Sequence, residues 1–193
     1  MWNGRKNTGR KMVKRIVIIG PESTGKSTLC EQLSAMFNTL WCPEFARQYL
    51  TEHGMNYNYE DLLTIAKGQL KLEDEIYEKV ISFMGKGKES VPYFIDTDMY
   101  VMKVWCEFVF AKCHDFILKQ IVERKYDLYL LCNVDLPWSK DELREYPDLE
   151  SRQVLYKMYR DILINQDVPW YEVSGRQEER LSMAITAVKK ILQ

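Results

Sequence analysis

Apolar residues fall along this chain in two rhythms. Short unbroken runs alternate with longer stretches in which hydrophobic positions recur every three or four residues, which predicts buried strands separated by helices. Arg15-Ile16-Val17-Ile18-Ile19-Gly20 predicts a first strand, and Leu29, Leu33, Met36, Phe37 and Leu40 predict the helix behind it. Thr39–Cys42 predicts a short second strand that runs out into a turn, Pro43-Glu44-Phe45-Ala46-Arg47. From Glu60 to Met84, Leu62, Leu63, Ala66, Leu70, Ile76, Tyr77, Val80 and Ile81 mark one face of a long helix. Lys86, Gly87 and Lys88 turn the chain into a strand, Val91–Ile95, closed by Asp96-Thr97-Asp98. Helices are predicted over Met99–Lys112, with Asp98 as N-cap, and over Asp115–Arg124. Asp127–Cys132 reads as a strand covered on both faces. Pro137–Arg152 is proline-bearing and densely charged, an excursion over a site, before Val154, Leu155, Met158, Ile162 and Leu163 resume helical spacing. Val168–Val173 makes a last strand, and Leu181, Ala184, Ile185, Val188 and Ile191 a closing helix.

Strands alternating with helices require right-handed crossovers and hence a parallel sheet with helices on both sides. The expected fold is a P-loop NTPase-type three-layer α/β/α arrangement, with a central sheet of about five strands and a small helical lid around 137–165. Residues 15–193 form a single domain in this reading. Residues 1–14 carry Arg5, Lys6, Arg10, Lys11 and Lys14 without a balancing acid and are expected to be a disordered tail. Ligands of such sheets bind at the carboxyl ends of the strands, where Gly20, Glu44, Asp96, Asn133 and Ser174 fall.

The chemistry is most legible at Gly20-Pro21-Glu22-Ser23-Thr24-Gly25-Lys26-Ser27, which has the G-x-x-x-x-G-K-S spacing of a phosphate-binding loop between strand and helix. Backbone amides of Gly20, Glu22, Ser23, Thr24, Gly25, Lys26, Ser27 and Thr28 are expected to curl around a polyphosphate at the positive end of the helix. Lys26 would bridge its β- and γ-phosphates, and the Ser27 hydroxyl would ligate Mg²⁺. Asp96, ending an apolar strand, is placed to meet the same metal shell. Glu44 is a candidate acceptor of substrate hydroxyls, and Arg47 a holder of phosphate or a partner for Glu44. Arg144 and Arg152 lie in the excursion, from which arginines can reach a migrating phosphoryl group. Trp105 and Trp138 could stack on a flat base, with Trp138 at the mouth of the lid, and the Ser174-Gly175-Arg176 turn suits backbone contact with adenine. His53 and His114 have no partners that suggest a metal or a triad.

Composition removes other classes. Lysine plus arginine total 27 against 28 acids in 193 residues, so no overall field favours nucleic acid or an anionic membrane. Five cysteines without C-x-x-C spacing read as reduced thiols. No apolar run reaches the ~18 residues of a bilayer span, and the amino terminus lacks a signal-peptide core, so a cytoplasmic protein is expected. Oligomeric state is not readable.

Together, the phosphate loop, Pro43-Glu44-Phe45-Ala46-Arg47, Asp96-Thr97-Asp98 followed by Lys103-Val104-Trp105, and Tyr126–Cys132 through Asp135-Leu136-Pro137-Trp138 resemble the ribosylnicotinamide kinase domain of NadR-type proteins. The resemblance covers nearly all of the chain after Met12. It implies ATP- and Mg²⁺-dependent phosphorylation of the ribose 5′-hydroxyl of nicotinamide riboside, giving nicotinamide mononucleotide for NAD salvage. It also implies Asp96 as the strand-end acid and Arg144 and Arg152 as lid arginines, and Asp96 or Glu44 is expected to orient that hydroxyl. NadR proteins also carry an adenylyltransferase domain, whose H-x-G-H signature is absent here, so a stand-alone kinase module is expected. A kinase for another nucleoside or small metabolite, and a non-catalytic nucleotide-binding regulator, are the competing readings.

Overall fold

The structure, a computed structural model, describes residues 12–83 and 90–193. The stretch 1–11 of the expected tail and the turn at Lys86-Gly87-Lys88 lie outside the described residues. Five strands form one sheet: β1 (Met12–Ile19), β2 (Trp41–Cys42), β3 (Ser90–Asp96), β4 (Leu128–Cys132) and β5 (Trp170–Val173). Their order is β2-β3-β1-β4-β5, and every pairing is parallel. The boundary expected at Arg15 moves, because Met12, Val13 and Lys14 pair with Ser90, Val91 and Pro92 and belong to β1.

Among the described residues seven helices flank the sheet: α1 (Lys26–Phe37), α2 (Phe45–His53), α3 (Tyr59–Phe83), α4 (Met99–Phe110), α5 (Asp115–Glu123), α6 (Leu149–Ile164) and α7 (Gln177–Leu192). Alternation along the strands sorts them into layers. Ile16 and Ile18 of β1, with Leu128, Leu130 and Cys132 of β4, face α1 and α7 through Leu29, Leu33, Ala184 and Val188. Val17, Ile19, Tyr129 and Leu131 point the other way, onto α3, α4 and α6 through Val80, Val104, Leu155, Tyr159 and Leu163. Ile16 through Ile19 have no solvent exposure, and burying such side chains contributes about 1.5–3 kcal/mol each. A third cluster holds α2 and α5 against α3 and α4 at Ala46, Leu62, Met102 and Ile117.

Two elements differ from expectation. The segment Pro43–Arg47 is not an open turn, since Phe45 starts helix α2. The segment 137–165 takes in most of an irregular loop, 133–148, and helix α6, whose Leu155, Tyr159 and Leu163 belong to the main core. Only the loop is therefore free to act as a cover.

Candidate active site

The carboxyl end of β1 sets the site. Gly20 adopts φ 144°, and a Cβ there would meet the Cys132 carbonyl oxygen at 2.7 Å, so the loop can leave the sheet only with glycine. The chain then turns through Ser23 (φ 57°) and Gly25 (φ 78°) into α1, whose first residues are Lys26 and Ser27. Lys26 Nζ donates to the Pro21 carbonyl at 3.1 Å, and Thr24 Oγ1 donates to the same oxygen at 2.7 Å.

β3 ends beside this loop because Ile18 pairs with Asp96. The Asp96 carboxylate is fully buried and accepts the Ser27 hydroxyl at 2.5 Å. Burial pushes its pKa up to about 6, opposed by the Lys26 ammonium and assisted by the Glu44 charge. Thr97 follows at φ 78°, a backbone that costs a β-branched residue about 1–3 kcal/mol. The kink turns Asp96 toward Ser27 while Asp98 caps α4, accepting the amides of Tyr100 (2.9 Å) and Val101 (3.3 Å). Asp98 also accepts the Tyr129 hydroxyl at 2.9 Å. Ser27 Oγ and the Asp96 carboxylate are two hard oxygen donors side by side, and no cluster of three or more His, Cys, Asp or Glu is assembled among the described residues. Such a pair fits Mg²⁺, which dehydrates reluctantly and takes few protein ligands when phosphates supply others.

A cavity of about 380 Å³ opens over the loop. Residues 20–28 form its floor, Glu44, Ala46, Arg47 and Leu50 one side, and Trp105, Phe108, Tyr146 and Tyr159 an aromatic wall. Glu44 stands at the N-cap of α2, but its carboxylate does not cap that helix. Arg47 Nη2 donates to Asp141 Oδ2 of the covering loop at 2.5 Å rather than to Glu44, and it lines the cavity.

The lid arginines separate. Arg144 lines the cavity and donates to the Ser139 carbonyl at 2.5 Å and to Ser23 Oγ at 3.4 Å. Arg152 is only 3% exposed, outside the cavity lining, and donates to the carbonyls of Ser23 and Leu136 at 3.3 Å each. Both guanidinium groups lie over the Trp138 ring, at 5.9 and 5.6 Å from its centroid. Trp138 thus carries arginines rather than facing the cavity. Gly175 does not line the cavity, and its amide is bound to Asp135 Oδ2 at 2.5 Å.

Two supporting residues escaped the sequence reading. Gln69 of α3 is buried, accepts the Phe45 amide at 2.7 Å and donates weakly to the carbonyls of Pro43 and Asp96. It ties the start of α2 to the end of β3. Arg180 of α7, 4% exposed, donates to the carbonyls of Thr24 (3.0 Å), Asn133 and Gly175 and pairs with Asp135, bracing the phosphate loop from behind. Each stands on the buried stripe of its helix, and a lone polar side chain there is the signal that could have found it.

A parallel α/β/α sheet with a glycine-turned loop after its central strand, a Lys26-Ser27 helix start and a buried acid ending the adjacent strand defines a P-loop protein. The chain belongs to a family described as an AAA domain, whose model matches residues 15–180. Its sequence is 28% identical over 185 residues to the trifunctional NAD biosynthesis/regulator protein NadR of Salmonella typhimurium, covering 93% of this chain and 43% of that protein. The chain therefore spans less than half the length of that relative. Among solved structures, a NadR protein in complex with NR is similar at a TM-score of 0.71 and 24% identity, over 93% of this chain and 51% of that one. Thymidylate kinase from Ehrlichia chaffeensis shares the fold at a TM-score of 0.63 and 14% identity, over 94% of this chain and 99% of that one.

Proposed function

We propose that this chain transfers the γ-phosphoryl group of ATP to the ribose 5′-hydroxyl of nicotinamide riboside, producing nicotinamide mononucleotide. The observation that carries the reading is the single cavity joining the phosphate loop to the aromatic wall of Trp105, Phe108, Tyr146 and Tyr159. Flat aromatic faces attract a cation through their quadrupole, and Glu22, Glu44 and Asp141 add carboxylates to the same space. That environment suits a pyridinium nucleoside better than a neutral base. The similarity to NadR proteins points to the same acceptor.

In this reading the amides of residues 22–28 and the amino end of α1 hold the polyphosphate. The Lys26 ammonium leaves the Pro21 carbonyl to neutralise charge on the migrating group. Ser27 and Asp96 would hold Mg²⁺, which would offset phosphate charge. Glu44 faces the cavity whereas Asp96 lies beneath Ser27, which supports Glu44 as the residue that orients the acceptor hydroxyl. Little base strength is required where the transition state is loose. Arg144, on the covering loop, is the arginine placed to reach the transferred group.

The test is a product assay with ATP, Mg²⁺ and nicotinamide riboside, read by mass, with thymidine as rival acceptor. Nicotinamide mononucleotide is the expected product, and preferred phosphorylation of thymidine would overturn the assignment of substrate. Lys26→Ala should fold normally and lose about 10²–10³-fold in kcat. Glu44→Ala should act chiefly on acceptor use.

A further inference from the structure

A chain of contacts runs from the phosphate loop to the aromatic wall through the covering loop. Glu22 occupies a variable position of the phosphate motif, and its Oε2 accepts the backbone amides of Glu145 (3.0 Å) and Tyr146 (3.2 Å). The Glu145 carboxylate turns away and accepts the Tyr57 hydroxyl at 2.8 Å. Tyr57 in turn accepts the indole N–H of Trp105 at 2.9 Å and meets that ring edge-on, with centroids 5.1 Å apart and planes at 73°. Tyr146 packs edge-on against Phe108, at 5.1 Å and 86°. One peptide of the covering loop, Glu145-Tyr146, therefore positions two separate parts of the aromatic wall, and Glu22 positions that peptide. Tyr57 itself does not line the cavity.

We propose that the Glu22–Glu145–Tyr57–Trp105 chain couples the two halves of the site, so that nucleotide on the phosphate loop fixes the aromatic wall for the acceptor. Tyr57 and Glu145 are then positioning residues. This deepens the kinase reading and rests on it for the identity of the acceptor. In this proposal the loop 133–148 takes two arrangements, of which the structure shows the closed one. Its closure makes the Glu22 contacts together with those of Ser23 Oγ to the Ser139 amide (2.9 Å) and to Arg144, and its opening releases Glu145 from Tyr57 in the same movement. Glu22 is half-buried, and desolvation raises its pKa against the two loop amides and the Lys26 ammonium, which favour its charged form. A polyphosphate on the phosphate loop attracts the Arg144 guanidinium, which lines the same cavity from the covering loop. Nucleotide thereby favours the closed loop and, through Tyr57, one orientation of Trp105. Coupling between ligands is reciprocal, so the acceptor favours nucleotide by the same factor.

Hydrogen exchange of the full chain with and without Mg²⁺ and AMP-PNP tests this without any acceptor. AMP-PNP should slow exchange in both 139–148 and 99–110. Tyr57→Phe, which keeps the ring and loses the hydroxyl, should retain the first protection and lose the second. Nicotinamide riboside should bind the parent about 5-fold or more tightly when AMP-PNP is present, and that gain should fall to within about twofold in Tyr57→Phe. Glu145→Ala, at an exposed side chain, should reproduce the loss. A parent whose 99–110 exchange ignores nucleotide, or variants that keep the parent's response, would overturn the coupling. A parent that binds no nucleotide overturns both this inference and the kinase reading. A parent with coupled protection but no phosphorylation of nicotinamide riboside overturns the substrate assignment alone.

Discussion

Asp98 holds a carboxylate that water does not reach. Its side chain is 1% exposed, and burial raises its pKa to about 7 although the Tyr129 hydroxyl and two amides of α4 favour the charged form. Because the folded pKa lies above the ordinary value of 3.8, the folded chain binds this proton more tightly than the unfolded chain does. Stability is then lost as pH rises from about 4 to about 7, by at most ~1.4 kcal/mol per pH unit for this one group, and levels off above. Asp98→Asn keeps an N-cap acceptor and a partner for Tyr129 but removes the titration. Urea unfolding across that window should give a flatter stability profile for the variant than for the parent. Equal slopes would mean that Asp98 is charged throughout. Asp96, also buried, titrates in an overlapping range, so the comparison of parent and variant is what isolates Asp98.

At the scale of elements, α2 shows what the sequence withheld. The strands, the long helix, the phosphate loop, Asp96 and the Asp98 cap follow from local rhythm and motif, because each is specified by neighbours in the chain. Helix α2 is nine residues long, with no side-chain cap at Glu44, and its first amide is held by Gln69 from α3. Tertiary contacts hold it in place, and no local pattern announces those. Trp138 and Arg47 carried the same limit, since their partners Arg144, Arg152 and Asp141 lie on a loop whose path no periodicity dictates. Gly68 marks the α2–α3 contact directly. A Cβ at that position would lie 2.1 Å from Cε1 of the Phe45 ring. Gly68→Ala adds helix propensity worth ~1 kcal/mol yet forces apart an interface where overpacking costs about 1–3 kcal/mol. A net loss of stability in urea, accompanied by a higher KM for the acceptor because Glu44 precedes Phe45, is the expected outcome. A stabilised variant with unchanged kinetics would show that the ring swings aside freely.

Across the whole molecule, ionisable groups are buried toward both ends of the sheet, and they do different work. At the carboxyl ends, Asp96, Ser27 and Lys26 leave polar groups facing a cavity. Toward the amino ends, Glu73 of α3 has no exposure and is closed in by Arg124 (3.0 Å), Arg15 (3.7 Å) and the Tyr126 hydroxyl (3.1 Å), with Tyr93 donating to its carbonyl. Burial raises the Glu73 pKa while the two guanidinium groups hold it down. Removing one member of a buried charged cluster leaves its partners desolvated without compensation, which costs about 3–5 kcal/mol. Glu73→Ala strands Arg15 and the Tyr126 hydroxyl, while Arg124 keeps Asp74 through two hydrogen bonds of 2.8 and 2.7 Å, so the lower end of that range is expected. In a domain of this size that corresponds to a fall in Tm of roughly 10 °C. The turnover of each folded molecule should not change, since no group of this cluster lines the cavity. Lys26→Ala should give the opposite pattern, with Tm retained and turnover lost. Thermal melts and active-site-normalised rates on the two variants separate the roles. A Glu73 variant that keeps its Tm but loses turnover would show that the amino-end cluster communicates with the site.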